Sequence, residues 1–262
     1  MNSAAHMHIA ATDFARSACS IGVVHLGFGA FHRAHQAVYI DDFMQQTNDL
    51  RWGIAAVNLR GSEGAQFEAA AKDVDDHDGY FLKSISSEGQ VELRRVRSHV
   101  AFLDWTSETA KSEALLAQPT VHLVTITVTE SGYYTDPNGN LDTTHSVIAG
   151  EIKGNAPSSV YGYLRAALQT RKDANGAPLT IACCDNIRQN GKMLHRNLLA
   201  YLKACDDQAL AAWVSANATF PCSMVDRITP RSPDALSDEL TQLIGRDVTS
   251  PIMAEDFIQW VL

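Results

Sequence analysis

Two kinds of residue cluster in this chain could carry chemistry. One is a glycine turn, which can bring backbone close to a phosphate. The other is a set of polar groups at the ends of apolar runs, which can line a reaction cleft. The turn is Gly27-Phe28-Gly29-Ala30-Phe31-His32, between the apolar run 21–26 (IGVVHL) and a helical stretch over about 33–46. In a strand–turn–helix context, Gly27 permits the tight bend and Gly29 lets the backbone approach a pyrophosphate. The helix start near residues 31–33 offers free N–H groups and the positive end of its dipole. His32 stands where the usual third glycine would be, and a ligand-free glycine turn is the plain alternative. An acidic residue for a ribose belongs after the second strand. That tip carries Asn58, with Glu63 the nearest carboxylate and Arg60 beside it, able instead to meet a 2′-phosphate. The balance is towards NAD.

Three polar clusters follow later apolar runs: Thr127-Val128-Thr129-Glu130-Ser131-Gly132-Tyr133-Tyr134, Cys184-Asp185-Asn186 with Asn190-Gly191, and Asp226-Arg227-Ile228-Thr229-Pro230. Ligands in open α/β sheets bind beyond the carboxyl ends of the strands, so three such ends together point to a cleft. Each has a plainer reading: helix capping for Asp185 and Asn186, an ion pair for Asp226-Arg227, turn chemistry for the Ser-Gly and Asn-Gly steps. His32 and His35 have no third partner for a metal, and none is expected. Cys183-Cys184 has no base nearby in the sequence.

The elements that must position these groups alternate. Strands are expected over 21–26, 52–59, 121–128, 179–183 and 220–224. Helices are expected over 33–46, 63–72, 106–117, 157–172, 191–205, 207–216 and 233–244. Residues 81–85 and 91–96 read as an antiparallel hairpin, an insertion or a sheet edge. Residues 73–78 read as a solvated acidic loop and residues 1–20 as a loose lead-in. The fold class is α/β: a Rossmann-type doubly wound, mostly parallel sheet with an antiparallel hairpin, over residues 21–262.

The whole chain has 262 residues, 45% hydrophobic and 19% charged, with a net charge of −9. That balance suits a globular core and lacks the basic surface of a nucleic-acid binder. No apolar run reaches the roughly 18–20 residues of a membrane helix, so neither nucleic acid nor membrane is expected as a partner. Cys19, Cys183, Cys184, Cys205 and Cys222 form an odd set without CxxC spacing. Reduced thiols in a cytoplasmic protein fit that pattern.

HLGFGAFHRAHQ (25–36), WGIAAVNL (52–59), TVTESGYY (127–134), CDNIRQNG (184–191) and NATFPCSMVDRITP (217–230) together resemble the long-chain mannitol dehydrogenase family. The resemblance runs from about residue 21 to Leu262. The AVNL and FPCSMVDRI segments are most similar to its fructuronate reductase (mannonate oxidoreductase) branch. The resemblance implies a Rossmann-type domain, NAD, no metal, and hydride transfer between a keto-sugar acid or ketose and its aldonate or polyol. It places Val24, Leu26, Gly27, Phe28, Gly29, Ala30, Phe31, His32, Arg33 and Ala34 at the cofactor, with Thr129, Glu130 and Asp226 lining the cleft. It gives Asn186 the role of polarising the reacting carbonyl.

The family's general acid/base is a lysine in a helical C-terminal domain, in a K-x-x-x-x-N-x-x-H pattern that this sequence lacks. The expectation is therefore a cofactor-binding portion whose helical partner domain is absent, with little turnover by itself. A stand-alone nucleotide-sensing module is the competing expectation. So is a partner chain that supplies the lysine. A missing domain should leave Phe257, Trp260, Val261 and Leu262 on an exposed apolar surface.

Overall fold

The computed structural model describes residues 9–174 and 176–262. In chain order the strands and α-helices are β1 (Ile9–Ala11), β2 (Ile21–Leu26), α1 (Ala30–Ala34), α2 (Gln36–Thr47), β3 (Gly53–Asn58), α3 (Gly64–His77), β4 (Tyr80–Ile85), β5 (Val91–Val96) and β6 (His99–Asp104). There follow α4 (Thr109–Ala114), β7 (Leu123–Ile126), α5 (Ser146–Ile152), α6 (Val160–Ala174), β8 (Leu179–Cys183), α7 (Asn190–Ala204), α8 (Gln208–Asn217), β9 (Ala218–Thr219), β10 (Met224–Asp226), α9 (Asp234–Ile244), β11 (Ile252–Glu255) and β12 (Gln259–Val261).

Six strands form one parallel sheet in the order β6-β3-β2-β7-β8-β9. The chain winds outward from β2 to β6, then returns to build β7 to β9 on the other side. The switch point therefore lies between β2 and β7, where a doubly wound sheet opens its crevice. Both faces are covered, which is why β2 and β3 read as continuous apolar runs. One face packs Val24, Leu26, Val57 and Val124 against Leu164, Leu168, Leu194 and Leu198 from α6 and α7. The other packs Val23 and Ile54 under Ala34, Ala37, Val38 and Val74.

The hairpin is neither an edge of this sheet nor alone. It is the centre of a second sheet, ordered β1-β5-β4-β11, with β1 and β11 parallel to their neighbours. Tyr80, Leu82, Val96, Ile252 and Ala254 join that sheet to α1 and α2. The segment expected as a loose lead-in is thus anchored from Ile9 onward. β1 pairs with β5, and Arg16 donates to the His99 carbonyl at 2.6 Å. Residues 1–8 lie outside the described residues.

Two further expectations change. Residues 73–77 are the last turns of α3, not a solvated loop: Val74 and His77 are buried, and Asp73 accepts the Thr249 and Ser250 amides at 3.1 Å. The helix expected over 33–46 starts earlier and breaks at His35 (φ −122°, ψ −90°). The break leaves carbonyls without helical partners. Tyr80 donates to the Arg33 carbonyl and Arg227 to that of Ala34. Buried carbonyls left unpaired would each cost about 1–3 kcal/mol.

Candidate functional site

The glycine turn sits at the carboxyl end of β2, beside the switch point. Gly27 has φ 110°, and a Cβ there would lie 2.7 Å from the Thr127 carbonyl oxygen. Only glycine fits. Gly29 differs. Its φ of −70° suits any residue, and a Cβ there would meet nothing within 4 Å. The space above Gly29 is open, lined by Phe28, Gly29, Ala30, Arg33, Asn58, Glu63 and Ser250 in a cavity of about 190 Å³.

Arg33 gives this cavity its charge. The side chain is buried and stacks on Phe28, 4.9 Å from the ring centroid. Its terminal nitrogen donates to the Ser250 carbonyl and hydroxyl, while Nε has no partner. It makes no ion pair among the described residues, although a buried unpaired cation is costly. Burial lowers its pKa to about 10, so it stays charged at neutral pH. α1 is a single short turn, and the positive field of a long helix expected from the sequence is not there. Arg33 supplies the positive charge instead.

A histidine network lies beneath the turn. His25 and His32 stack with ring centroids 3.3 Å apart, and His25 meets Thr125 Oγ1 and Thr127 Oγ1 at 2.8 and 3.0 Å. Partners fix the tautomers. Gln36 Nε2 donates to His35 Nδ1, so His35 Nε2 donates to the Gln259 carbonyl. His32 Nδ1 donates to Gln36 Oε1, leaving Nε2 to accept from His99 Nε2 at 3.0 Å. Burial holds His25, His32 and His99 below the usual histidine range, His32 at about 3.

Of the stretch expected at the cofactor, Phe28, Gly29, Ala30 and Arg33 line the cavity. Val24, Leu26, His32 and Ala34 do not; each is fully buried in core or histidine network. Phe31 stacks on His35. Gly27 shapes the turn. Asn58 and Glu63 do reach the cavity. Asn58 donates to Asp104 Oδ2 at 3.0 Å, and Glu63 pairs with Arg60 at 3.1 Å. Asp104 comes from the neighbouring strand β6, whose approach no local pattern could show.

A larger cleft of about 880 Å³ opens beyond β7 and β8, lined by residues that include Thr129, Glu130, Tyr134, His145, Ile187 and Met193. Asn186 stands exposed beside Ile187. The capping explanation for Asp185 and Asn186 fails, because α7 is capped by Gln189 without a side-chain bond. Asp185 reaches instead to the Val128 amide at 2.9 Å and the Tyr133 hydroxyl at 2.6 Å. Burial pushes its pKa up despite bonds from Tyr133 and the backbone of Val128 and Thr129. Asn190 ties the β8 end to Ser223 through its side-chain amide. Thr129 has φ 66° and ψ 161°, a region that is nearly glycine's alone and costs about 1–3 kcal/mol.

Asp226 is exposed on β10 near His35, outside both cavities. Its neighbour Arg227 makes no ion pair with it, donating instead to the carbonyls of Glu255 and Ala34 and to the Ser84 hydroxyl. Burial raises the Cys183 thiol to about 11, far from a nucleophile. All five cysteines are free. No helix among the described residues is long and apolar enough to cross a membrane. At β10 and β12, Met224, Ile228, Phe257, Val261 and Leu262 are 48–66% exposed. Trp260 turns inward against Val225.

The mannitol dehydrogenase Rossmann domain family matches residues 21–262. The chain is 37% identical over 241 residues to D-arabinitol 4-dehydrogenase of Ralstonia nicotianae, covering 92% of this chain and 51% of that protein. It is 36% identical over 248 residues to D-mannonate oxidoreductase of Escherichia coli, covering 92% and 49%. The chain spans about half the length of the curated relatives it matches. The solved ternary complex of Pseudomonas fluorescens mannitol 2-dehydrogenase with NAD and D-mannitol superposes with a TM-score of 0.87 at 31% identity, over 96% of this chain and 51% of that one. Fold, turn and matched span lead to one conclusion: this chain belongs to the mannitol dehydrogenase family and carries its Rossmann domain.

Proposed function

We propose that the chain binds NAD(H) at the turn after β2. It serves there as the cofactor-binding portion of a dehydrogenase that moves a hydride between the nicotinamide and a keto-sugar acid or polyol. The observation that carries this reading is the pair Gly29 and Arg33. An unstrained glycine facing open space fits a close-approaching ligand, and an unpaired buried cation with a free Nε fits an anionic one. Together they suit a pyrophosphate.

Phe28, Gly29, Ala30 and Arg33 hold the phosphates in this reading. Asn58 and Glu63 face the adenosine ribose, and the Glu63 carboxylate favours free ribose hydroxyls over a 2′-phosphate. Thr129 and Glu130 line the nicotinamide side of the larger cleft. Bound NADH supplies the hydride. Asn186 Nδ2 donates to the carbonyl oxygen as negative charge grows there, and Asp226, outside both cavities, would reach the substrate only from the side of β10 that a further segment encloses. No lysine in the family's acid/base pattern occurs in the sequence. The proton source is assigned to a helical segment outside residues 1–262, which would cover the apolar surface of Met224, Ile228, Phe257, Val261 and Leu262. Free thiols suit a cytoplasmic setting.

D-fructuronate/D-mannonate is the first substrate pair, on the strength of the AVNL and FPCSMVDRI segments. A ketose/polyol pair is the second, since the arabinitol dehydrogenase of Ralstonia nicotianae matches at least as well as the mannonate enzyme. The test is NADH fluorescence titration of the chain and of Gly29→Asp. Saturable enhancement is expected for the first. Loss of binding is expected for the variant, with its Tm within about 2 °C because the added side chain meets only open space. Equal affinities would sink the assignment.

A further inference from the structure

The loop after β7 holds a residue in a conformation its side chain resists, and both ends of that loop are tied to one carboxylate. Thr129 is β-branched, yet has φ 66° and ψ 161°, an outlier for such a residue. On one side of it the Val128 amide donates to Asp185 Oδ2 at 2.9 Å, and Arg60 donates to the Val128 carbonyl at 3.1 Å. On the other side the Tyr133 hydroxyl donates to the same Oδ2 at 2.6 Å, and Tyr161 donates to the Tyr133 carbonyl at 3.0 Å. The turn between is closely packed at Gly132, where a Cβ would lie 3.0 Å from the Val128 side chain. A strained backbone persists only where its surroundings over-determine it. Here the surroundings converge on Asp185, which lies 57 residues from Val128 and 52 from Tyr133.

We propose that Asp185 is a positioning residue: its carboxylate clasps both ends of the 128–133 loop, holds Thr129 in its strained form, and so fixes Thr129 and Glu130 on the wall of the cleft beside Asn186. The clasp ties β7 to β8, so the two strand ends that flank the cleft move together. The consequence for ligand binding rests on the reading that this cleft takes the nicotinamide end of NAD(H).

The experiment compares Asp185→Ala, Thr129→Gly and the double variant by NADH titration and by amide hydrogen exchange at Val128. Glycine adopts the Thr129 conformation without restraint, so it should relieve the need for the clasp. Asp185→Ala is expected to speed Val128 exchange and to weaken NADH binding about tenfold. In the Thr129→Gly background the same change should cost less than about threefold. A purely structural Asp185 would give equal penalties in both backgrounds, and that result overturns the proposal. Unchanged Val128 exchange in Asp185→Ala overturns it as well. Should Asp185→Ala not fold, Tyr133→Phe removes one arm of the clasp and is expected to show the same dependence on Thr129 at smaller size. If the unaltered chain binds no NADH while Val128 exchange responds as described, the clasp stands and the cofactor reading falls.

Discussion

The turn after β2 and the loop after β7 follow adjacent central strands at the carboxyl end of the sheet. Both need backbone that most residues avoid, and they reach it by opposite means. At Gly27 the residue itself removes the obstacle: no side chain, no strain, and no room for one beside the Thr127 carbonyl. At Thr129 the residue is the obstacle, and a carboxylate from β8 restrains its flanks. The first solution is local and cheap. The second stores strain in the wall of a cleft and makes that wall depend on a neighbouring strand.

Acid should separate the two regions most. His25, His32 and His99, under the glycine turn, are held neutral by burial. Their folded pKa values lie below the unfolded value of 6.5, so the unfolded chain binds protons that the folded chain refuses. Their stabilisation is present above pH 6.5 and is lost as pH falls towards 3. The slope is about 1.4 kcal/mol per pH unit for each histidine. Asp185 has the opposite sign: burial raises its pKa, so the folded chain takes up this proton more readily than the unfolded one and acid favours the fold at this group. Denaturant unfolding at pH 7.5 and pH 5 should show a loss of several kcal/mol, because three histidines outweigh one carboxyl. A flat profile would break the contrast.

Gly27→Val comes next. A side chain at φ 110° against a backbone oxygen should cost about 3 kcal/mol, read from the denaturation midpoint. Arg33→Met sharpens the turn's own division between stability and binding. Replacing a buried unpaired cation by an apolar chain of similar length should raise stability by about 1–2 kcal/mol while weakening NADH binding; a loss of stability would mean that Ser250 and Phe28 already satisfy the charge. Thr129→Gly is the mirror of Gly27→Val and has the smallest effect. Relief of strain less the entropy of glycine should leave about 1 kcal/mol of stabilisation. Destabilisation would show that the loop is not strained.

This contrast also explains what the sequence made legible. The Gly27–Gly29 turn, β2, β8 and the hairpin follow from residues near one another in the chain, and their expected places agree with the structure. Periodicity and turn chemistry report local constraints. β6 was missed because it opens on His99, a polar residue whose burial depends on the histidine network. The acidic end of α3 read as a loop because its charge hid the buried positions Asp73, Val74 and His77. At the cavity, Asn58 and Glu63 were expected from their place at and after the tip of β3, whereas Asp104, across on β6, was not. Val24, Leu26, His32 and Ala34 belong to the same contiguous motif, but the strand and short helix that carry them point their side chains into the core. Capping stood as the plainer alternative for Asp185 because a carboxylate near a helix start usually is a cap; its partners lie more than 50 residues away.

The second sheet has a consequence for the chain as it is made. β4 is flanked by β5, which follows almost at once, and by β11, whose Ile252 pairs with Leu82 some 170 residues later. At synthesis rates of about 5–20 residues per second, the outer edge of β4 waits roughly 10–30 s on the ribosome for its partner. For that interval a short apolar strand is open to pairing with other nascent chains. The order of the strands in space therefore sets a window of vulnerability during translation, which slow codons ahead of residue 252 would lengthen and a chaperone bound at the hairpin would shield.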